Sequence, residues 1–236
     1  MQHRNSPKSP RWSTVAQAAV LAAATAAGAG QALATEVGPY FQGYTSMSMM
    51  DAKQKAGLDN LTLAFGITRG TCALDPYLTD RMAEARQFVA AGGKLAISMG
   101  GANGVYAEVS CTDDGMFALI DKLITDSRAQ RIDWDVEGNT LNDTNATDRR
   151  NRVLKRIQAK YPNVQTSLTL PGWITGLQGN SQRMMASTLA AGVRIDMVNL
   201  MAMSFGANNI RDYVRPSTLG QAMVMTYNAA EKQMAA

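Results

Sequence analysis

Short apolar runs alternate with longer amphipathic segments along most of the chain. Each apolar run is bounded by Gly, Pro, Asn or Asp, the residues that most often end regular structure. The segments between the runs repeat apolar residues with helical spacing, and several begin at Asp or Thr and end at Gly or Pro. The runs predict six strands, at residues 37–44, 61–68, 94–101, 131–138, 164–170 and 196–205.

This alternation of strands and helices predicts an α/β fold with a parallel sheet, because parallel strands need a crossover connection. The later strand starts are about 33 residues apart, which is the length of one βα unit. Six such units fit either an open doubly wound sheet or part of a (β/α)8 barrel, a fold of typically about 250 residues. No G-x-G-x-x-G sequence follows the first predicted strand, which disfavours a dinucleotide cofactor.

The excess positive charge lies at the N-terminus. The sequence has 23 Lys and Arg against 19 Asp and Glu, but residues 1–34 hold three of the basic residues and no acid. The remainder is therefore close to neutral, which gives no reason to expect a nucleic-acid partner. With 46% hydrophobic and 18% charged residues, the composition is that of a folded globular domain.

Residues 1–34 are predicted to be a secretory signal. A basic start precedes an Ala-rich apolar run, and the segment ends in Ala32-Leu33-Ala34, a small-x-small pattern that signal peptidase accepts. An uncleaved membrane anchor is the alternative, but Ala is weakly apolar and the run is short for a membrane span. We therefore expect a secreted or periplasmic protein, free of the membrane after cleavage, with its folded domain over residues 35–236.

Secretion bears on the two cysteines of the sequence, Cys72 and Cys111. An oxidising compartment permits a disulfide between them. Spacing alone does not establish the bond, so a disulfide and two free thiols stay open as alternatives.

The candidate chemistry lies in the fourth predicted strand, RIDWDVEG. Asp133, Asp135 and Glu137 alternate there with apolar residues, and alternate residues of a strand share one face. The apolar residues, Trp134 among them, would pack under helices, so the acids would face the interior of a barrel near its catalytic rim. The alternatives are a solvated acidic face and, with less support, a metal site at Asp133 and Asp135. We expect no metal or other cofactor.

The chemistry available to these acids is limited by the lack of histidine. The only histidine, His3, lies in the predicted signal, which removes His-dependent triads and His-ligated metal sites from the mature chain. Carboxylates crowded in a poorly solvated interior do not all stay ionised, so one is expected to hold a proton near neutral pH. A protonated Glu beside an ionised Asp suits cleavage of a glycosidic bond.

The segments KLAISMGG, RIDWDVEG and VNLMAMSFG occur in this order along the chain. Together they resemble glycoside hydrolase family 18, the chitinases. RIDWDVEG is similar to the D-x-x-D-x-D-x-E signature of the fourth strand in that family. KLAISMGG is similar to S-x-G-G on the third strand, which matches Ser98 and Gly100, and VNLMAMSFG to Met-x-Met on the sixth, which matches Met201 and Met203. The resemblance covers about residues 37–210, and GGANGVYAEVSCTDDG resembles a bacterial secreted subgroup.

The resemblance implies a (β/α)8 TIM-barrel fold and retaining, substrate-assisted cleavage of β-1,4 links between N-acetylglucosamine units. Glu137 would be the general acid and base, and Asp135 would orient the acetamide whose oxygen attacks C1. Asp133 would exchange a hydrogen bond with Asp135, and Ser98 would support Asp133. The partner would be chitin or an N-acetylglucosamine oligosaccharide. The sequence does not indicate an oligomeric state.

The aromatic and Met residues elsewhere in the chain are assigned as follows. Trp173, after the fifth predicted strand, is expected at the rim, where it would stack on a sugar ring, with core packing as the alternative. Tyr40, Tyr44 and Phe65 are assigned to the core by default. The Met clusters are interpreted mainly as core filler. The expected substrate contacts are Ser98, Gly100, Trp173, Met201 and Met203.

The chain departs from the family pattern at three places. Gln130 replaces the leading acid of the fourth-strand signature. Ser204 and Phe205 stand where related chitinases have an Asp and a Tyr, and the loss of one such group typically lowers a rate by about 10²–10³. Only about six βα units are expected, which leaves a fragment, a shortened product and a chain completed by a partner as explanations. A catalytically weak or inactive chitin-binding protein and a truncated, non-functional product are the alternative functions.

Overall fold

A computed structural model describes residues 38–206 and 218–235, so the predicted signal at residues 1–34 lies outside the described part. The strands are, in chain order, β1 (Tyr40–Gln42), β2 (Asn60–Gly66), β3 (Lys94–Gly100), β4 (Arg131–Asp135), β5 (Gln165–Trp173), β6 (Gly176–Leu177) and β7 (Met197–Met201). The helices are α1 (Met49–Ala56), α2 (Pro76–Thr79), α3 (Met82–Ala90), α4 (Ala107–Ser110), α5 (Asp113–Ser127), α6 (Thr144–Lys160), α7 (Gly179–Ala190) and α8 (Leu219–Ala235), with a 3-10 helix over Gly138–Asn142.

Six of the strands are parallel and form one sheet in the order β1-β2-β3-β4-β5-β7, while β6 pairs antiparallel with the end of β5. Each of these parallel strands corresponds to one of the six predicted strands, and the sixth predicted strand is β7 because the short β6 precedes it. The predicted α/β fold with a parallel sheet is therefore confirmed. Over the described residues, β1 and β7 are the outer strands of this sheet.

The apolar pattern predicts a strand over residues 131–138, but in the structure this strand is shorter and ends at Asp135. Glu137 lies beyond the sheet because its backbone N–H donates to the Tyr106 hydroxyl, at 2.9 Å, and not to the neighbouring strand. The contact between Glu137 and Tyr106 therefore decides where this strand ends. The apolar pattern of the strand itself gives no sign of that contact.

The strand predicted over residues 196–205 is also shorter and ends at Met201. The next residue, Ala202, donates its N–H to the carbonyl of Leu200 at 2.8 Å, which turns the chain out of the ladder. Ser204 has a φ of 56°, in the left-handed region, so the backbone there is no longer extended.

The sheet has an apolar outer face and a polar inner face. Ile132 and Trp134 of β4 are each 1% exposed and belong to the core that the sheet shares with the covering helices. Asp133 and Asp135 alternate with them and therefore point to the inner face. The prediction that the acids and the apolar residues take opposite faces is confirmed.

Helix α8 packs against the hairpin of β5 and β6. Small residues allow this approach, since a Cβ atom added to Gly172 would lie only 2.8 Å from the Thr226 side chain. The Gln233 side chain accepts a hydrogen bond from the N–H of Leu177 at 2.8 Å, which ties the helix to the hairpin that carries Trp173. No helix in the described part of the chain combines the length and apolar character needed to cross a membrane.

Candidate active site

The three acids of RIDWDVEG lie at the C-terminal end of β4. Asp133 and Asp135 are each 4% exposed, and Glu137 is half-buried just beyond the strand. In parallel barrels this end of the strands carries the loops that build the active site. Because β4 lies between β3 and β5, side chains from both neighbours reach the acids.

Asp133 is surrounded by hydroxyl groups from both neighbouring strands. Ser98 donates to its Oδ2 at 2.7 Å, Ser167 donates to its Oδ1 at 2.6 Å, and Thr169 Oγ1 lies 3.0 Å from each oxygen. The contact from Ser98 is the one that the family resemblance implied. These donors favour the ionised carboxylate, but burial outweighs them and raises the pKa of Asp133.

Thr169 connects this cluster to the two outer strands. Its hydroxyl lies 3.2 Å from the Tyr40 hydroxyl on β1 and accepts from the Asn199 amide on β7 at 3.3 Å. Burial, followed by the charge of Asp133, raises the pKa of Tyr40 to about 12, so its hydroxyl stays protonated at neutral pH. Sequence reasoning missed this network and assigned Tyr40 to the core. The alternating hydroxyls of QTSLTL were the signal that could have revealed it.

Asp135 occupies the position between Asp133 and Glu137. Burial, followed by the charges of Glu137 and Asp133, raises the pKa of Asp135 to about 7. The expected hydrogen bond between Asp133 and Asp135 is replaced by the hydroxyl contacts of Asp133, and Asp135 Oδ1 is buried without a described protein partner. This oxygen is therefore free to bind a ligand group. Among the described side chains, no group of three or more His, Cys, Asp or Glu is arranged to hold a metal ion.

Glu137 is held by its backbone while its carboxyl is left at the cleft. Partial burial raises the pKa of Glu137 above its ordinary value. The Tyr106 hydroxyl accepts from the Glu137 N–H and lies 2.9 Å from the carbonyl oxygen of Gly101 and 3.0 Å from that of Asp135. One buried hydroxyl thus joins the ends of β3 and β4 behind Glu137. Sequence reasoning assigned no role to Tyr106, although this residue lies in GGANGVYAEVSCTDDG, the segment that resembles a bacterial secreted subgroup.

Gly100, a predicted substrate contact, is required by close packing of the backbone. Its φ is 96°, in the region that favours glycine, and a Cβ atom there would lie 2.2 Å from the carbonyl oxygen of Asp135 and 2.6 Å from the Tyr106 ring. The S-x-G-G segment therefore serves two purposes in this structure. Ser98 binds Asp133, and the glycine lets β3 approach the end of β4.

Two cavities of about 390 Å³ each meet at Glu137, which is the ionisable residue common to their walls. The first cavity extends over the ends of β1, β2 and β3, and its wall includes Gln42, Tyr44, Phe65, Asp75 and Tyr77. The second lies between the loops that follow β3 and β4, and its wall includes Tyr106, Val109 and Asn139. A cleft that passes the carboxyl on both sides suits a chain-like ligand.

The other predicted sugar contacts lie outside the walls of these two cavities. Trp173 is half-buried, and its ring meets that of the buried Phe205 edge-to-face, with centroids 5.9 Å apart. Met201 is half-buried at the end of β7, whereas Met203 is 61% exposed, against the interpretation of this cluster as core filler. Strand β7 ends at Met201. The alternation of side chains between the two faces of the sheet therefore does not extend to Met203 and does not place it on the inner face. Substrate binding by Trp173, Met201 and Met203 stays a prediction.

A disulfide joins Cys72 and Cys111, whose Cα atoms are 4.7 Å apart. Of the two alternatives left by the sequence, the structure has the bonded one. The bond links the loop after β2 to the end of α4. The same loop is paired at Thr68, whose N–H donates to the carbonyl of Val105 at 2.8 Å. These links restrain the loops at the mouth of the first cavity.

Comparisons with known proteins support the resemblance to chitinases. Over 122 residues, 49% of this chain, it is 32% identical to a probable bifunctional chitinase/lysozyme of Escherichia coli (strain K12), of which it covers 14%. Over 161 residues, 63% of this chain, it is 29% identical to Endochitinase 11 of Metarhizium anisopliae, of which it covers 30%. The chain thus spans less than a third of each of these relatives. No protein-family model matches the chain.

Solved structures have the same fold. The catalytic domain of a hyperthermophilic chitinase from Pyrococcus furiosus aligns with a TM-score of 0.66 and 23% identity, over 84% of this chain and 64% of that one. The catalytic domain of a family GH18 chitinase from the fern Peteris ryukyuensis aligns with a TM-score of 0.55 and 16% identity, over 84% of this chain and 76% of that one. The predicted TIM-barrel type of fold is therefore confirmed, and the open doubly wound sheet is excluded.

Proposed function

We propose that this chain is a chitinase-like glycoside hydrolase that cleaves β-1,4 links between N-acetylglucosamine units. The observation that carries the proposal is the position of Glu137, a carboxyl of raised pKa that two cavities share and that follows the buried Asp135 in the same row. Relatives named chitinase and endochitinase support the reaction. A Pyrococcus furiosus chitinase of similar fold, solved with chito-oligosaccharides, supports the class of substrate.

The first step that we propose breaks the glycosidic bond without a protein nucleophile. Glu137, in its protonated form, gives its proton to the glycosidic oxygen as the bond from that oxygen to C1 breaks. The carbonyl oxygen of the substrate's own acetamide forms a bond to C1 from the opposite face. The products of this step are a free sugar hydroxyl, a cyclic oxazolinium ion and an ionised Glu137.

The second proposed step returns Glu137 to its starting form. The Glu137 carboxylate takes a proton from water as the water oxygen attacks C1, and the bond from C1 to the acetamide oxygen breaks. The acetamide is regenerated, and C1 has been attacked twice from opposite directions, so the β-configuration is retained.

Asp135 is proposed to hold the acetamide during both steps. Its unpaired buried Oδ1 offers an acceptor for the acetamide N–H, and a negative charge there stabilises the positive ring that forms. Asp133 precedes Asp135 on β4. Its carboxyl oxygens accept hydrogen bonds from three hydroxyl groups. Burial of Asp135, followed by the nearby Glu137 and Asp133, disfavours its ionisation and so keeps a proton in the site near neutral pH.

Time-resolved NMR of the products tests this proposal. The purified chain is expected to convert the hexamer of N-acetylglucosamine into shorter oligomers whose new reducing ends are β-anomers before mutarotation. The retained configuration follows from the two displacements at C1. New ends that begin as α-anomers, or an unchanged hexamer after long incubation, would contradict the proposal.

The pH dependence of the reaction is expected to reflect the raised pKa of Asp135, about 7. Asp135 and Glu137 titrate as a pair, and one proton has to remain for Glu137 to act as an acid. We therefore expect kcat/KM to fall as the pH rises through about 7, where the pair loses that proton.

Replacing Asp135 by Asn tests the sign of this effect. The substitution removes a neighbouring negative charge, so Glu137 loses its proton more readily. The alkaline limb of the kcat/KM profile, where kcat/KM falls as the pH rises, therefore moves to lower pH. Asp59→Asn is a matched control, because the Asp59 side chain is 70% exposed and lies outside both cavities, and it should leave the limb in place. A limb that stays near pH 7 in Asp135→Asn would refute the assignment to the pair.

A further inference from the structure

The hydrogen-bond ladder between β3 and β4 is interrupted at Glu137. In a parallel ladder, a residue donates its N–H to one residue of the neighbouring strand and accepts, at its carbonyl, the N–H two residues further along that strand. Gly101 donates its N–H to the carbonyl of Asp135 at 2.9 Å, so its own carbonyl should accept from Glu137. Instead, the Tyr106 hydroxyl lies between them, 2.9 Å from the Glu137 nitrogen and 2.9 Å from the Gly101 oxygen. A side-chain hydroxyl is therefore inserted into the ladder directly behind Glu137.

The direction of each of these hydrogen bonds follows from the partners available. The Asp135 carbonyl, which also lies 3.0 Å from the Tyr106 hydroxyl, already accepts from Gly101, so the hydroxyl proton is available to the Gly101 carbonyl. The hydroxyl oxygen in turn accepts from the Glu137 N–H. Burial raises the pKa of Tyr106 to about 12, so the hydroxyl keeps its proton at neutral and mildly alkaline pH. One neutral group therefore satisfies a donor and an acceptor that would otherwise bond to each other.

The Tyr106 side chain is itself fixed from several sides. Its ring is 8% exposed and lies against Gly100, where an added Cβ atom would be 2.6 Å from the ring. The preceding residue, Val105, exchanges backbone hydrogen bonds with Thr68 at 2.8 and 3.2 Å, and Ser110 Oγ donates to the Tyr106 carbonyl at 3.2 Å. The hydroxyl is therefore held at the ends of β3 and β4 independently of any ligand.

The inserted hydroxyl determines where the Glu137 carboxyl lies. Residue 137 keeps an extended backbone, with φ −127° and ψ 164°, so its side chain still follows the alternation of β4. A direct ladder bond would draw this backbone against the end of β3, whereas the hydroxyl keeps the two strand ends apart. Tyr106 lines the second cavity, between the loops that follow β3 and β4, and Glu137 lines both cavities. The hydroxyl thus separates the strand ends at the point where the two cavities meet.

We infer that Tyr106 is a positioning residue for Glu137, and that its inserted hydroxyl sets the distance from the acid carboxyl to the glycosidic oxygen. The inference rests on the proposed function and adds to it a residue that acts only through Glu137. In Tyr106→Phe, the Glu137 N–H and the Gly101 carbonyl lose their partner, and the ring still keeps them apart. The backbone of residue 137 then shifts toward water, and a misplacement of about 1 Å is enough to cost about 10²-fold in rate.

Two substrates that differ in their need for an acid test the inference. Cleavage of the N-acetylglucosamine hexamer needs a proton for the leaving sugar hydroxyl, whereas para-nitrophenolate leaves the para-nitrophenyl glycoside of the dimer without one. Tyr106→Phe is expected to lower kcat by about 10²-fold on the hexamer and by about tenfold on the aryl glycoside, where Glu137 still acts as a base. The ratio of the two kcat values therefore falls by about tenfold. Because both are measured on one preparation, the ratio does not depend on the folded fraction.

Tyr161→Phe is the matched control. It also removes a hydrogen-bonded hydroxyl, 2.6 Å from Asp121, but Tyr161 lies outside the walls of both cavities, so the ratio should stay unchanged. An unchanged ratio in Tyr106→Phe would overturn the inference, as would an equal fall in both variants. In a Glu137→Gln background, Tyr106→Phe should bind the hexamer as before, and loss of binding would overturn the positioning role. If Tyr106→Phe does not fold, Tyr106→Gln, which is too short to bridge the strand ends, replaces it with the same expected fall.

Carbon NMR of the Glu137 carboxyl decides the inference even where the proposed function fails, which would be seen as an unaltered chain that hydrolyses neither substrate. Partial burial raises the pKa of Glu137, so a carboxyl displaced toward water in Tyr106→Phe is expected to have a lower pKa, nearer its ordinary value. A greater distance from the charge of Asp135 changes the pKa in the same direction. A Glu137 pKa that is equal in the unaltered chain and the folded variant would overturn the inference.

Discussion

Glu137→Gln is expected to lower kcat on the N-acetylglucosamine hexamer by about 10²–10⁴-fold, the usual contribution of a general acid and base. The amide has nearly the same volume and still fits the end of β4, but it cannot give a proton to the glycosidic oxygen. The backbone N–H of residue 137 keeps its bond to the Tyr106 hydroxyl, so the surrounding loops should stay in place. Binding of the hexamer is therefore expected to survive the loss of turnover.

Measurement of product formation and of hexamer binding on the same variant separates these two effects. Glu231→Gln makes the same chemical change at an exposed position of α8 and should leave both quantities unchanged. Full turnover in the Glu137→Gln chain would exclude this residue as the acid. Loss of binding together with turnover would instead indicate a damaged cleft, which the Glu231→Gln control would not reproduce.

The largest effect on stability is expected from Glu108→Ala. Glu108 and Arg150 are 1% and 0% exposed, and Arg150 Nη1 donates to Glu108 Oε1 at 2.9 Å. Removal of the carboxylate leaves the guanidinium charge buried and unpaired, which typically costs about 3–5 kcal/mol. That is a large part of the usual free energy of unfolding of about 5–15 kcal/mol, so the variant should unfold at much lower urea concentration.

A surface pair of similar geometry provides the control. Arg156 Nη1 lies 2.8 Å from Asp114 Oδ1, but these side chains are 43% and 90% exposed, so Asp114→Ala should cost at most about 1 kcal/mol. Urea unfolding of both variants, followed by circular dichroism, measures the difference. Equal midpoints would contradict the assignment of Glu108 to a buried pair. Replacing both Glu108 and Arg150 by Leu and Met should recover most of the loss, because no unpaired charge then remains.

The buried pair is also connected to the candidate active site. Glu108 belongs to α4, which begins directly after Tyr106, and Arg150 belongs to α6. The pair therefore anchors the short helix whose preceding residue holds the backbone of Glu137. A destabilised Glu108→Ala chain is expected to lose activity at temperatures where the folded state is still populated, because this anchor is removed.

Gln130 illustrates what a local departure from a family pattern means in the folded chain. The family signature has an acid at this position, far from the rim. Here the Gln130 side chain accepts from the N–H of Leu95 at 2.8 Å and so joins the starts of β3 and β4. The substitution therefore has a structural role at the opposite end of the strand from Glu137, and it leaves the three following acids in register.

The sequence by itself determined the six parallel strands, their order along the chain, and the face on which Asp133 and Asp135 lie. These features depend on local physics, since side chains alternate with a period of two along a strand and Asp or Thr at a helix start binds the next free N–H groups. Asp75, Thr112 and Asp143 cap helices in this way.

Only the tertiary structure decided what surrounds those acids. The hydroxyls on Asp133 come from β3 and β5, and the Tyr106 hydroxyl that ends β4 comes from a loop about 30 residues away. The 69% exposure of Tyr44, which was expected in the core, the burial of Phe205 against Trp173 and the cavities that meet at Glu137 depend on how distant segments close over one another. The physical reason is that a single strand specifies which way its side chains point, whereas their partners are set by the register between strands and by the packing of loops.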